Sequence, residues 1–185
     1  FGCCGFHIPS QNLVNSFKTD ANGLPQFNSF NDSDLDLITD EVDPRLDHTV
    51  AQDGKPWKYN TSLIYNITTW SRQPGIYGPY MSLKEAVSPD CECFQYITPF
   101  MSSSKNSILI RYADVLLWKA EALIELGREN EALPIINEIR QRAGNSTTRL
   151  VDGLGQPLSN YNVQPYSGAG WTQDYARNAL RWERR

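Results

Sequence analysis

Apolar residues return at three- and four-residue intervals in three stretches of the C-terminal half of the chain. The first, Ile108 to Leu126, predicts a helix ended by Gly127, because glycine supplies the left-handed residue that closes many helices. The second is marked by Ala132, Leu133, Ile135, Ile136, Ile139 and Ala143 and ended by Gly144. Asn130 is its predicted cap, which puts Pro134 near the first turn, where a missing N–H costs least. The few residues between the two make them antiparallel neighbours. The third carries Tyr175, Ala176, Ala179, Leu180 and Trp182, with Thr172 as its predicted cap. Between the second and third, residues 145–170 read as a polar, Gly/Pro-rich loop.

The N-terminal half has a different pattern. Ser10 to Phe17 predicts a short helix capped by Ser10, with Leu13, Val14 and Phe17 on one face. Asp20 to Gly23 predicts a turn. From Leu24 to Ser107 no long helical period exists, and Pro, Gly, Asn, Asp and Ser punctuate the span, leaving room for short strands such as His48 to Ala51. Loops of this length in a compact chain are usually functional. Asp32, Asp34, Asp36 and Asp40 lack the glycine and distal glutamate of a calcium loop and read as turn and cap residues.

The helix pair has tetratricopeptide-like spacing: small residues at Ala120 and Ala132, a Leu126–Gly127 turn, and Ile136 as the large apolar partner. One such unit cannot bury both of its faces by itself. A helical wheel places Arg111, Asp114, Trp118, Glu121 and Glu125 on one stripe. Arg111 with Asp114 is expected to tie down an adjoining loop, Trp118 to cover that junction, and Glu121 and Glu125 to be solvated or capping charges.

Composition narrows the function. The 185 residues are 40% hydrophobic, enough for one domain with a core. A net charge of −4 gives no footprint for nucleic acid or an anionic membrane, and no apolar run reaches the length of a membrane span. Cys3, Cys4, Cys91 and Cys93 lack the spacing of a zinc or redox motif and are expected as free or partly paired thiols. His7 and His48 have no nucleophile motif beside them, and no Gly-rich phosphate loop is present, so an enzyme is not expected, nor a metal or cofactor.

IRYADVLLWKAEALIELG followed by INEIRQRAG, with SQNLVNSF, Asp43-Pro44-Arg45-Leu46 and ALRWERR, together resemble the SusD/RagB family of outer-membrane, glycan-binding lipoproteins. The first two segments match the family phrase at Arg111, Tyr112, Ala113, Asp114, Ala120, Glu121, Ala122, Asn137, Arg140, Arg142, Ala143 and Gly144. The other three resemble further landmarks, in the family's order. The resemblance implies a mostly α, SusD-like fold with a long irregular loop-rich region and a tetratricopeptide-like helix pair. It also implies a C-terminal segment of a longer protein, with the lipid anchor outside this chain. The implied role is non-enzymatic: capture of an oligosaccharide or polysaccharide for a SusC-like TonB-dependent transporter at the cell surface.

On this reading residues 1–107 are the loop-rich, glycan-binding part, 108–144 the helix pair, and 145–185 a loop and last helix. Sugar rings lay their C–H faces on aromatic planes, while hydroxyls seek planar amides and guanidinium groups. The span from Trp57 to Tyr80 is rich in both. The candidate ligand residues are Trp57, Tyr59, Trp70, Arg72, Tyr77 and Tyr80, with Tyr161, Tyr166 and Trp171 as weaker candidates on the second loop. A helical-repeat module that docks a protein partner, without sugar binding, is the alternative.

Overall fold

The computed structural model describes residues 7–84, 86–97 and 100–185. In chain order, α1 (Gln11–Asn15) and β1 (Lys18–Thr19) lead to β2 (Glu41–Val42), α2 (Arg45–Thr49) and β3 (Val50–Ala51). Then come β4 (Pro56–Trp57), β5 (Asn60–Ile64), α3 (Ile67–Trp70), α4 (Pro74–Tyr77), β6 (Met81–Ser82), β7 (Phe94–Ile97) and β8 (Phe100–Ser103). The long helices α5 (Tyr112–Glu125), α6 (Glu129–Gly144) and α7 (Gln173–Glu183) complete the chain. The strands pair antiparallel in twos: β1 with β2, β3 with β6, β4 with β5 and β7 with β8. Helices are the main regular structure, and small two-stranded ribbons pin the irregular half.

The helices follow from local chemistry. Ser10 Oγ accepts the Leu13 N–H to start α1, and Thr172 Oγ1 accepts the Tyr175 N–H to start α7. α5 begins at Tyr112, four residues later than its apolar spacing predicts. The Asp114 carboxylate accepts the Arg111 N–H at 2.9 Å and fixes the start there, while Ile108 to Ile110 stay outside the helix and exposed, Leu109 at 93%. Arg111 and Asp114 thus cap their own helix and do not tie down a neighbouring loop. Trp118 is 44% exposed.

At the other end of α5, Gly127 sits at φ +71°, its N–H bonds Ile124 O, and the Arg128 N–H bonds Leu123 O. These are the two bonds of a Schellman closure, and they bring the chain straight into α6. Arg128, not Asn130, therefore precedes the helix, and its guanidinium holds Glu131 through two bonds of 2.7 Å.

Ala113, Leu117, Ala120 and Ile124 of α5 meet Ala132, Ile136 and Ile139 of α6 and Ala176, Ala179 and Leu180 of α7. The alanines allow the backbones to approach, and Tyr166 and Trp171 fill the space left at the edge. Glu125 and Glu121 are not simply solvated: they pair with Arg177 of α7 and with Arg184 just beyond its end. A second core gathers Val14, Phe17, Val42, Leu46 and Val50. A third holds Ala51, Tyr65 and Leu83. His48 and Thr49 belong to α2, so of the expected strand only Val50 and Ala51 are extended. The Asp43 carboxylate accepts the Arg45 N–H and starts a helical turn instead.

A buried ionic cluster joins these cores. Arg140 of α6 is fully buried and donates to Glu183 of α7 at 2.7 Å, to Gly23 O at 2.6 Å and to Gln164 O at 2.6 Å. Glu183 also pairs with Arg45 at 2.7 Å, and Arg45 grips Asp43. Gly23 has φ +69°, and a Cβ there would lie 2.5 Å from Asn162 Oδ1, so only glycine lets the Asp20–Gly23 turn reach this cluster.

Breaking a buried pair from one side leaves an uncompensated charge and costs about 3–5 kcal/mol. Arg140→Ala and Glu183→Ala are expected to lower urea-unfolding stability by that order. Burial would raise the Asp43 carboxyl, but the Arg45 and Arg185 charges outweigh it and hold it at about 2, against an ordinary 3.8. A carboxyl depressed in the fold stabilises it above the ordinary value, and the gain is lost as pH falls towards 2. Asp43 should contribute on the order of 2 kcal/mol at neutral pH. Asp43→Asn should therefore flatten the acid limb of the stability curve between pH 4 and 2.

Candidate functional site

The irregular half places three aromatic rings together. Trp57 ends β4, Trp70 ends α3, and their centroids lie 5.2 Å apart. Tyr65 lies behind them, fully buried, 5.8 Å from Trp70 and edge-on to it. Its hydroxyl donates to Pro79 O. The two tryptophans are half-buried against the third core, leaving part of each ring in solvent.

The local sequence fixes this geometry. Asn66 Oδ1 accepts from the Thr68 N–H, the Thr69 N–H and the Thr68 hydroxyl, capping α3, and Asp53 accepts the Ile67 N–H. Tyr65 N and O are both bonded to the preceding turn, through Lys55 O and the Gly54 N–H. Beyond α3, Arg72 is exposed, and α4 presents Ile76 and Tyr77 to solvent.

Tyr59 and Tyr80 go elsewhere. The Tyr80 hydroxyl donates to Gln11 Oε1 at 2.9 Å, and its ring packs on the second core. Lys58 and Tyr59 form the two-residue tip joining β4 to β5, at φ +48° and +70°. Both positions of such a tip favour Gly or Asn, so two bulky residues there store backbone strain.

Side-chain contacts hold the tip in place. The Arg149 guanidinium lies 4.3 Å from the Tyr59 ring centre, and the hydroxyl is 2.8 Å from His48 Nδ1. His48 Nε2 is 2.8 Å from Ser146 Oγ, which itself donates to Ala143 O. Since Ser146 spends its proton on Ala143, neutral His48 must donate through Nε2 and accept from Tyr59 through Nδ1. Burial, helped by the Lys84, Lys58 and Arg149 charges and opposed by Asp47, pushes His48 below its ordinary 6.5.

The second-loop aromatics are committed to structure. Tyr166 and Trp171 are buried in the first core, and Trp171 Nε1 donates to Glu129 O. The Tyr161 hydroxyl donates to Asp47 at 2.7 Å. Asp47 is a junction that sequence reasoning missed. Its buried carboxylate accepts from Gln52, Lys55, Ser159 and Tyr161, tying α2 to the loop before α7. The available signal was its place one residue after Asp-Pro-Arg-Leu.

Cys91 and Cys93 form a disulfide with each other, so that pair is not free thiol; Cys3 and Cys4 lie outside the described residues. Asp36 accepts the Ile38 N–H, and Asp40 accepts the Asp36 N–H, so both serve turns. Among the described residues no group of three or more His, Cys, Asp or Glu could hold a metal ion, and no helix is long and apolar enough to cross a membrane.

The Asp43-Pro44-Arg45-Leu46, Arg140-containing and Glu183-containing segments thus meet in one buried cluster, and the family model for SusD matches residues 1–185. The chain belongs to the SusD family. It is also similar to the SusD-like protein P38 of Formosa agariphila, 39% identical over 74 residues. That match covers 35% of this chain and 14% of the relative, so the chain spans well under two thirds of that protein's length. SusD family members are binding proteins that associate with glycans and SusC-like transporters and are typically found at the outer-membrane surface.

A histidine depressed in the fold stabilises it above its ordinary value, and the gain is lost as pH falls below that value. The His48 imidazole should therefore titrate below 6.5 in an NMR series, and Tyr59→Phe should move its midpoint. A midpoint at or above 6.5 would contradict a His48 ring buried beside the Lys84, Lys58 and Arg149 charges.

Proposed function

We propose that this chain is part of a cell-surface SusD-type protein that captures an oligosaccharide or polysaccharide for a partner TonB-dependent outer-membrane transporter. The role is binding, not catalysis, and no cofactor takes part. The observation that carries it is the pair Trp57 and Trp70: two partly buried rings 5.2 Å apart, backed by buried Tyr65 and fixed by a capped turn. Rings held this way offer flat apolar area to sugar C–H faces at little entropic cost. Exposed Arg72 and Tyr77 follow within one short segment and would supply a guanidinium donor and a further ring.

Tyr59 serves this site only indirectly, by anchoring the hairpin tip next to Trp57, and Tyr80 packs on the second core outside it. The irregular half thus carries the glycan, and the helix pair, read as a tetratricopeptide-like unit, serves as scaffold. On this reading the protein associates with the membrane through a lipid anchor.

A second reading, a helical module that docks a protein, is favoured by the outer side of α5. Tyr112, Val115, Trp118 and Leu126 are all exposed there. The two readings are compatible, since a transporter is itself a protein partner.

Native gels cast with a panel of polysaccharides test the first reading. The parent chain should be retarded by at least one, and Trp57→Ala/Trp70→Ala should weaken that binding about tenfold or more, equivalent to about 1.4 kcal/mol. Its far-ultraviolet circular dichroism should keep the parent helical signal. A parent that migrates unretarded in every gel speaks against glycan capture by this chain. Pull-down from outer-membrane extract with Trp118→Ala as control addresses the second reading.

A further inference from the structure

An open groove of about 1160 Å³ runs between the C-terminal end of α6, residues 39–44 and the loop that follows α6. It shares no residue with the Trp57–Trp70 platform. We propose that this groove is a second saccharide subsite, selective for neutral, extended oligosaccharides. The inference rests on the glycan-binding reading and adds a surface and a ligand class to it.

Charge gives the ligand class. Among the described residues the groove is lined by no Lys, Arg or His, and the one charged residue among them, Glu41, already accepts the Asn162 amide at 2.7 Å. An anionic ligand such as a uronate or phosphate ester would be left without a counter-charge, at the cost of desolvating its own. The lining is instead rich in primary amides. Gln141, Asn145 and Gln156 make no side-chain hydrogen bond to the described residues, so their donors and acceptors are available together. A planar amide that gives and takes at once matches a hydroxyl, which does the same. Pro157, Val163 and Pro165 add apolar surface for ring C–H groups.

The groove is also preformed. The Val42 N–H bonds Asn160 O at 2.8 Å, and the Asn162 N–H returns to Val42 O at 3.0 Å. Val151 and Pro157 form a bridge, and Asp47 clamps Ser159 and Tyr161 from below. The walls are therefore held before a ligand arrives, which lowers the cost of binding. The volume exceeds that of common small-molecule pockets, and its open form suits a chain that passes through.

Hydrogen–deuterium exchange on the full chain tests the proposal. The probes are malto-, cello-, manno- and xylohexaose, with a hexameric uronate as the anionic control. At least one neutral hexaose should slow exchange in residues 141–165. Gln141→Ala/Gln156→Ala should remove that protection and weaken affinity at least threefold, while protection at residues 57–77 persists. Protection confined to 57–77 would overturn the groove and leave glycan capture standing. Protection of 141–165 by the uronate alone would overturn the neutral class. No protection anywhere would overturn both the groove and the reading it rests on.

Discussion

Arg140 is the residue on which the rest of the structure depends. Its guanidinium is fully buried, and each of its three nitrogens donates: Nη1 to the Glu183 carboxylate, Nε and Nη2 to two backbone carbonyls from separate loops, with the Tyr166 ring stacked against it at 4.4 Å. A buried charge is tolerated only when its donors are matched in this way. The matching needs α6, α7, the Asp20–Gly23 turn and the loop before α7 to be in register at once. Glu183 then recruits Arg45, and Arg45 recruits Asp43. Burial alone would raise the Glu183 carboxyl, yet the Arg45 and Arg140 charges hold it below the usual glutamate range. One ionic cluster thereby fastens the irregular half to the helices, a task that short ribbons and small cores would perform poorly by themselves.

That attachment is what allows the irregular half to present rings outward. The third core is small, and Trp57 and Trp70 contribute to it with one side while showing the other to solvent. The hairpin that carries Trp57 has a strained tip, kept in place by Arg149, His48 and Ser146. The loop after α6 therefore both edges the amide-lined groove and steadies the strand that bears the platform. Asp47 serves the same loop from the other side, as the acceptor for Ser159 and Tyr161. Burial and the Asp47 charge push the Tyr161 hydroxyl well above the ordinary tyrosine range, so it remains a donor under all physiological conditions.

How much of this was legible depended on whether the signal was local. Ser10, Thr172 and Gly127 act within one turn, and helix caps could be read from them. The start of α5 was misplaced because Ile108, Leu109 and Ile110 continue the apolar pattern although the Asp114 cap begins the helix behind them. The density of aromatics between Trp57 and Tyr80 singled out the segment in which Trp57 and Trp70 come together with part of each ring in solvent. It could not say which planes face outward, because Tyr65 and Tyr80 turn inward through contacts with Pro79, Gln11 and the cores. Asp47 and the Arg140 cluster were invisible for a related reason. A charged residue in a loop or on a helix reads as solvated until its partners, distant in sequence, are known. The pairings of Glu121 with Arg184 and of Glu125 with Arg177 were hidden in the same way.

The wiring of Arg140 also fixes an order of events as the chain is made. Its bond to Gly23 spans 117 residues, and its bond to Glu183 spans another 43. Local pieces such as the α5–α6 hairpin can form as they leave the ribosome, since their closure is short. The ionic cluster can close only after α7 has emerged. Until then Arg140 stays hydrated and the N-terminal landmarks have nothing to dock against. The last helix thus acts as the latch of folding, and the irregular half is fastened in place only when synthesis has passed it.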